Sequence, residues 1–247
     1  MRKYLTLALA GASAALGGTI GFAQDAAGEQ QTYTVGEFER VSAVGPQHVR
    51  ISVGPARSVR ASGPHETLAK LEAVVEDGEL RIRPKPPYRR DMDWLQFETV
   101  TFHVALPRLA AASLTGSGDM TVDRVDGRDF SAAVAGSGGL AIDSLAVDSA
   151  RFAVAGSGNV TVRGRARDSH ISIAGSGDVQ ARDVTSATAS ISIVGSGNTA
   201  LTVNDEARVS IIGSGDADIA GPARCSVSRM GRGEVTCGNV ERARRQS

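Results

Sequence analysis

Aromatic residues are scarce in this chain, at 4% of 247 residues, with a single tryptophan, Trp94. A core built from it must be filled by Val, Ile, Leu and Ala. Cysteine is limited to Cys225 and Cys237, which excludes a disulfide-dense scaffold. No lysine occurs after Lys85, and 27 basic residues face 27 acidic ones. This balance lacks the basic excess of a nucleic-acid binder, so no nucleic-acid partner is expected. The four histidines, His48, His65, His103 and His170, stand far apart, and a zinc site would need clustered ligands. His48 and His103 fall on the polar phase of alternating strands, as exposed strand residues do. No Gly-x-Ser-x-Gly elbow and no phosphate-binding loop with a lysine is present. The expectation is therefore a chain with no catalytic residue, no metal and no cofactor.

An uncharged run rich in Leu and Ala lies at the start. Arg2 and Lys3 precede an uncharged stretch from Tyr4 to Ile20, and Gly21-Phe22-Ala23 follows with small residues. Positive start, apolar middle and small-residue exit form a secretory signal pattern, with cleavage after Ala23. Gly11, Gly17, Gly18 and Gly21 interrupt the run, which disfavours a spanning helix. Residues 1–23 are read as a signal peptide and 24–32 as a flexible lead-in. The mature chain would carry 25 basic and 27 acidic residues, have no membrane span, and lie in the periplasm or be secreted.

What the sequence has in abundance is glycine, and it is periodic. Gly-Ser-Gly begins at Gly116, Gly136, Gly156, Gly175, Gly195 and Gly213, at spacings of 20, 20, 19, 20 and 18, and Gly231-Arg232-Gly233 follows after another 18. Fixed periods of this length mark solenoids. Apolar residues alternate before each corner, as Phe152 and Val154 or Ile191 and Ile193, and again after it, as Leu140 and Ile142 or Val160 and Val162. Period two places one strand face inward. Each repeat reads as strand, Gly-Ser-Gly corner, strand, polar corner. Stacked coils about 4.8 Å apart would bury a continuous apolar column. The predicted fold is all-β: a single-stranded parallel β-helix or solenoid over 108–238, right-handed by the usual crossover rule, with coils of about twenty residues. Arg229, where earlier coils carry Val154 or Ile173, reads as part of a terminal cap.

Residues 33–107 are read as a β-rich N-terminal region continuous with the solenoid. Alternation runs over Phe38–Val53, Leu80–Ile82 and Val100–Leu106. Leu68, Leu71 and Val75 have helix-like spacing, predicting one short helix within Glu66–Val75, and Asp77-Gly78 predicts a turn. Pro84–Gln96 is expected to be an exposed loop. Its Tyr88, Arg89, Arg90 and Trp94 are typical interface anchors and a candidate contact patch. Residues 239–247 form a polar, basic tail.

Two columns of side chains follow from stacking. Ser117, Ser137, Ser157, Ser176, Ser196 and Ser214 would form one. Asp119, Gly139, Asn159, Asp178, Asn198 and Asp216, then Glu234, would form the other. Asp and Asn favour such corners by bonding backbone N–H groups, and the serines are expected to hydrogen-bond at the corner too. Calcium is the alternative ligand for the acidic column, but the calcium-binding β-roll has a nine-residue period and Gly139 breaks the column. Cys225 shares its offset with Ala207 and Ala189, and Cys237 shares that of Val122, Ile142 and Ile219. Both should point into the final coil, where a disulfide between them is expected; the alternative is two buried thiols acting as small apolar fillers.

Phe38-Glu39-Arg40-Val41, Val75-Glu76-Asp77-Gly78-Glu79-Leu80, Val104-Ala105-Leu106-Pro107 and the Gly-Ser-Gly-Asp/Asn ladder carry a family resemblance. From Phe38 to Gly238 the chain resembles the putative autotransporter adhesin, head GIN domain family. The resemblance implies an exported bacterial β-solenoid with no established activity. No block of membrane-barrel strands follows Gly238, so self-translocation across an outer membrane is not expected. Three functions compete. The first is a non-catalytic structural or adhesin-like binding module of the cell envelope, with an envelope protein or glycan as partner. The second is a polysaccharide-active β-helix enzyme, which would need Asp clustered with Arg or Lys, whereas Arg124, Arg163 and Arg182 stand isolated. The third is an envelope signalling accessory protein.

Overall fold

Alternating small β-formers punctuated by glycine fold into stacked coils. The computed structural model describes residues 29–86 and 99–238. The predicted contact patch Tyr88, Arg89, Arg90 and Trp94 lies outside the described residues, as do the signal peptide and the basic tail. Five long strands form the regular part: β10 (Val125–Gly136), β11 (Gly139–Gly156), β12 (Asn159–Gly175), β13 (Val179–Gly195) and β14 (Thr199–Gly213). Each pairs in parallel with the next at one-coil register, so that Phe152, Ile171, Ile191 and Val209 stack, as do Val154, Ile173, Ile193 and Ile211. All eight side chains are buried. The continuous apolar column expected from period-two alternation is therefore present.

Each coil has three hydrogen-bonded stretches where the repeat pattern suggested two. In β12 these are residues 159–162, 164–166 and 168–175. The polar corner of the sequence pattern contains a third, short stretch whose Leu145, Ala166, Val184 and Val203 are buried. Only one or two buried apolar residues per coil, at offsets that differ between coils, show no clear period there. Variation in coil length is taken up on this side: register shifts occur between Ala181 and Thr185 and between Ser186 and Thr188, where β13 meets the shorter β14. The glycine corners stay in register throughout.

The stack begins well before residue 108. β2 (Arg40–Val44) pairs with β8 (Ala111–Gly116), and β3 (His48–Val53) pairs with β9 (Asp119–Val122), both in parallel. Beneath them lie β6 (Glu79–Pro84) and β7 (Thr101–Leu106). An antiparallel layer closes this end: β5 (Leu71–Glu76) on β6, β4 (Ser58–Gly63) on β7, and β1 (Glu29–Tyr33) on β4. The last four residues of the expected flexible lead-in, Glu29–Thr32, are thus strand. Tyr33 explains the docking, with its ring centroid 5.9 Å from that of Phe102.

The helix is one turn, α1 (His65–Leu68), shorter than predicted. Leu71 and Ala73 are buried at period two, and β5 takes residues the helical spacing had claimed. Pairing with β6 outweighs the local pattern, as tertiary context commonly does. The Asp77-Gly78 turn is as expected, with φ of 52° and 72°, the left-handed pair of a two-residue hairpin.

At the other end, β15 (Ala217–Ala220), β16 (Arg224–Gly231) and β17 (Val235–Cys237) complete the stack. Cys225 and Cys237 form a disulfide with Cα atoms 6.5 Å apart. Cys237 is buried and Cys225 partly so, on either side of the last corner. Closing this short loop contributes roughly 2–3 kcal/mol in the chain-entropy model. Replacing both cysteines with serine should accelerate amide exchange across 224–238 while the coils between Gly136 and Gly195 keep their protection. Equal exchange in both proteins would show that the bridge does not fasten the end.

Candidate functional site

The corners form a straight ridge because two glycines per coil let the backbones stack. The first glycine of each corner has positive φ, for example 126° at Gly136 and 132° at Gly175. Such values suit glycine alone at little cost. The serine N–H donates to the first glycine of the preceding coil: Ser137 to Gly116 at 2.9 Å, Ser157 to Gly136 at 2.8 Å and Ser214 to Gly195 at 2.9 Å. A Cβ on the second glycine would strike the preceding coil, as at Gly158, 2.5 Å from the Gly138 oxygen. The six serines therefore point outward and are exposed. Their hydroxyls make no hydrogen bond among the described residues, which corrects the expected corner bonding. The main chain already satisfies the corner, so the hydroxyls are left to solvent at the coil spacing of about 4.8 Å.

The neighbouring column is bonded from coil to coil. Asp119 Oδ1 accepts from Gly139 N at 3.0 Å, Asn159 Oδ1 from Asp178 N at 3.1 Å, and Asp178 Oδ1 from Asn198 N at 2.8 Å. Asn198 Oδ1 accepts from Asp216 N at 3.0 Å, and Asp216 Oδ1 from Glu234 N at 2.7 Å. Each side chain thus satisfies the N–H of its counterpart in the next coil, rather than of its own corner. Gly139 has no side chain to offer, and Asn159 N donates to the Gly138 carbonyl instead, at 3.1 Å. Asp178→Ala should lower stability by about 1 kcal/mol, and Asp178→Asn by much less, because the amide oxygen still accepts. Equal losses in denaturant titrations of the two variants would refute this role. Among the described residues no three His, Cys, Asp or Glu side chains gather as a metal-ligand set.

One corner escaped the sequence pattern. Gly45-Pro46-Gln47 lies directly beneath Gly116-Ser117-Gly118: Gly45 N donates to Thr115 O at 2.8 Å, and Gly118 N to Gly45 O at 3.1 Å. The signal was available, since Val41, Ala43, Val49 and Ile51 flank it with the same alternation as later corners. The tripeptide itself had changed. His48 is consequently the first member of the column, in register with Asp119, and its Nδ1 lies 3.3 Å from Asp119 Oδ2. His65 contacts Glu29 at 2.6 Å in the end layer, while His103 and His170 are exposed strand residues.

The arginines do not converge. Arg163 Nε sits 3.4 Å from Asp183, Arg182 pairs with Asp218, and Arg124 donates twice to the Val53 carbonyl at 3.0 and 2.8 Å. On another side, Thr188 Oγ1 donates to Asp168 at 2.6 Å. That bond, helped by Arg167, holds the Asp168 carboxyl below the usual carboxylate range. Because the folded value is depressed, its small contribution is complete above about pH 4. It is lost as the pH falls through the depressed value. Thr188→Val should raise the Asp168 titration midpoint seen by NMR; an unmoved midpoint would assign the depression elsewhere.

The stacked-coil fold is shared with known proteins. Residues 37–223 match the family model of the putative auto-transporter adhesin, head GIN domain. The chain belongs to that family. A putative adhesin from Bacteroides fragilis has the same fold, with a TM-score of 0.76 at 19% identity over 85% of this chain and 96% of that one. A putative adhesin from Parabacteroides distasonis gives a TM-score of 0.68 at 19% identity, over 84% and 95% of the two chains. A putative lipid binding protein from the same organism gives 0.67 at 19% identity, over 86% and 97%. No curated protein matches the sequence. Likeness at these identities extends to the fold. Within it, this head GIN domain chain has no helix among its described residues that is long and apolar enough to cross a membrane.

Proposed function

We propose that this head GIN domain protein is an exported, non-catalytic binding module of the bacterial cell envelope, and that its corner ridge contacts the partner. The observation that carries the reading is the row of six outward serine hydroxyls without intramolecular bonds, held in register beside the Asp/Asn ladder. A rigid row of hydrogen-bonding groups is already ordered, so binding does not have to order it. The partner is an envelope protein or a glycan, and either would be read by repeated polar contacts along the stack. Tyr88, Arg89, Arg90 and Trp94 are a second contact candidate, because such residue types anchor interfaces.

Export is tested by cell fractionation with N-terminal sequencing: the mature protein should begin near Gln24 outside the cytoplasm, and intact cytosolic protein would sink the claim. Binding is tested by crosslinking in envelope fractions with the Ser157→Lys, Ser176→Lys, Ser196→Lys triple variant beside wild type. Loss of the crosslinked partner with an unchanged circular dichroism spectrum supports the ridge. Retention in this variant but loss in a Tyr88, Arg89 and Trp94 triple alanine variant would move the contact there. Depolymerised pectin or alginate in a lyase assay would overturn the non-catalytic reading.

A further inference from the structure

The two ends of the stack are finished differently. At the N-terminal end β1, β4 and β5 form an antiparallel layer over β6 and β7. At the C-terminal end β16 pairs with β14 alone among the described residues, and β17 with β15 alone. One edge of β16 therefore presents unpaired backbone groups, a template for another strand. Its side chains are equally unfinished. Val227 is in register with Val209, inside the apolar column, yet it is 48% exposed where Val209 is 2%. Val194, Ile212 and Met230 stack in a second, outward column, exposed to 50%, 50% and 71%. An added strand would cover Val227 as β16 covers Val209.

Charge says which strand. Arg224, Arg229 and Arg232 are exposed on this last coil against Glu234. Arg229 Nη1 donates to the Gly233 carbonyl, and no acidic partner is found for any of the three among the described residues. Residues 224–238 hold three arginines and one glutamate, whereas 24–223 hold 19 basic and 25 acidic residues. The open end is the basic pole of an otherwise acidic chain. A second copy docked through the same edge would oppose arginine to arginine, and such like-charge contact selects against it.

We infer that β16 is a docking edge for an extended acidic segment of a partner protein, which adds as a further strand. In this mode main-chain hydrogen bonds give affinity and alternate side chains give specificity: an apolar residue over Val227 on one face, carboxylates towards Arg224 on the other face and towards Arg232 at the corner. The inference does not depend on the serine ridge.

The test uses the mature protein and a short acetylated peptide of alternating glutamate and valine. Calorimetry should show saturable binding, and hydrogen exchange should slow across 224–231. The Arg224→Glu, Arg232→Glu double variant, which alters two exposed side chains, should weaken binding about tenfold or more. A lysine–valine peptide should not bind, and N-methylation of alternate peptide amides should abolish binding. Equal binding of the N-methylated peptide, or of heparin in its place, would overturn strand addition in favour of a polyanion site. Unchanged affinity in the double variant would overturn the charge argument. Exchange across 224–231 in the free protein as slow as in the central coils would show the edge already covered by the chain itself.

Discussion

Gly156→Ala should be among the most damaging single-methyl additions in this protein. Gly156 has φ of 117°, and a Cβ there would lie 2.5 Å from the Gly136 carbonyl oxygen. That oxygen accepts from Ser157 N at 2.8 Å and Gly158 N at 2.9 Å, so it cannot retreat without breaking the corner below. Backbone strain at such a φ costs about 1–3 kcal/mol, and overpacking adds roughly 1–3 kcal/mol. The matched control is Gly36→Ala, where a Cβ meets nothing within 4 Å and the change should stay within about 0.5 kcal/mol. Urea titration of both variants decides the matter. A Gly156→Ala protein within that same margin of wild type would show that the corners tolerate side chains and that stacking does not depend on glycine.

Phe152→Ala should be comparably severe for the opposite reason. Phe152 is 2% exposed and lies between Ala132 in the coil below and Ile171 in the coil above. Its bulk fills the space that Ala132 leaves, so truncation opens a cavity that neither neighbour can close. Large-to-small changes at buried phenylalanine cost about 3–5 kcal/mol, against less for Phe152→Leu. Because each coil contacts only its neighbours, the damage should remain near the lesion before the whole stack melts. Limited proteolysis should then show new cleavage close to residues 143–165, with both ends still protected. Cleavage appearing first at the ends would argue that the stack unfolds as one unit.

Much of this was legible in the residues. Six Gly-Ser-Gly tripeptides in near-constant spacing, with apolar alternation on either side, leave little else to build than a stack of coils. The inward phase of Cys225 and Cys237 also follows from counting offsets, and their Cα separation of 6.5 Å permits the bond they form. The helix is shorter than its spacing suggests because Leu71 and Val75 fit a helical spacing from Leu68 and, with Ala73, a period of two equally well. Gly45-Pro46-Gln47 was missed because its neighbours kept the alternation while the corner tripeptide changed.

By itself the sequence determined the repeat, the inward rows and the identity of the corner residues, since local alternation and the special φ of glycine are properties of adjacent residues. Only the tertiary structure decided what each outward group does. Whether a serine hydroxyl is satisfied or free, or an aspartate bonds its own corner or the next coil, depends on a neighbour some twenty residues away. The same holds at the ends. That β2 and β3 stack 71 residues before their partners, and that β16 pairs on one side alone among the described residues, follow from which strand lies above or below. No local pattern carries that information.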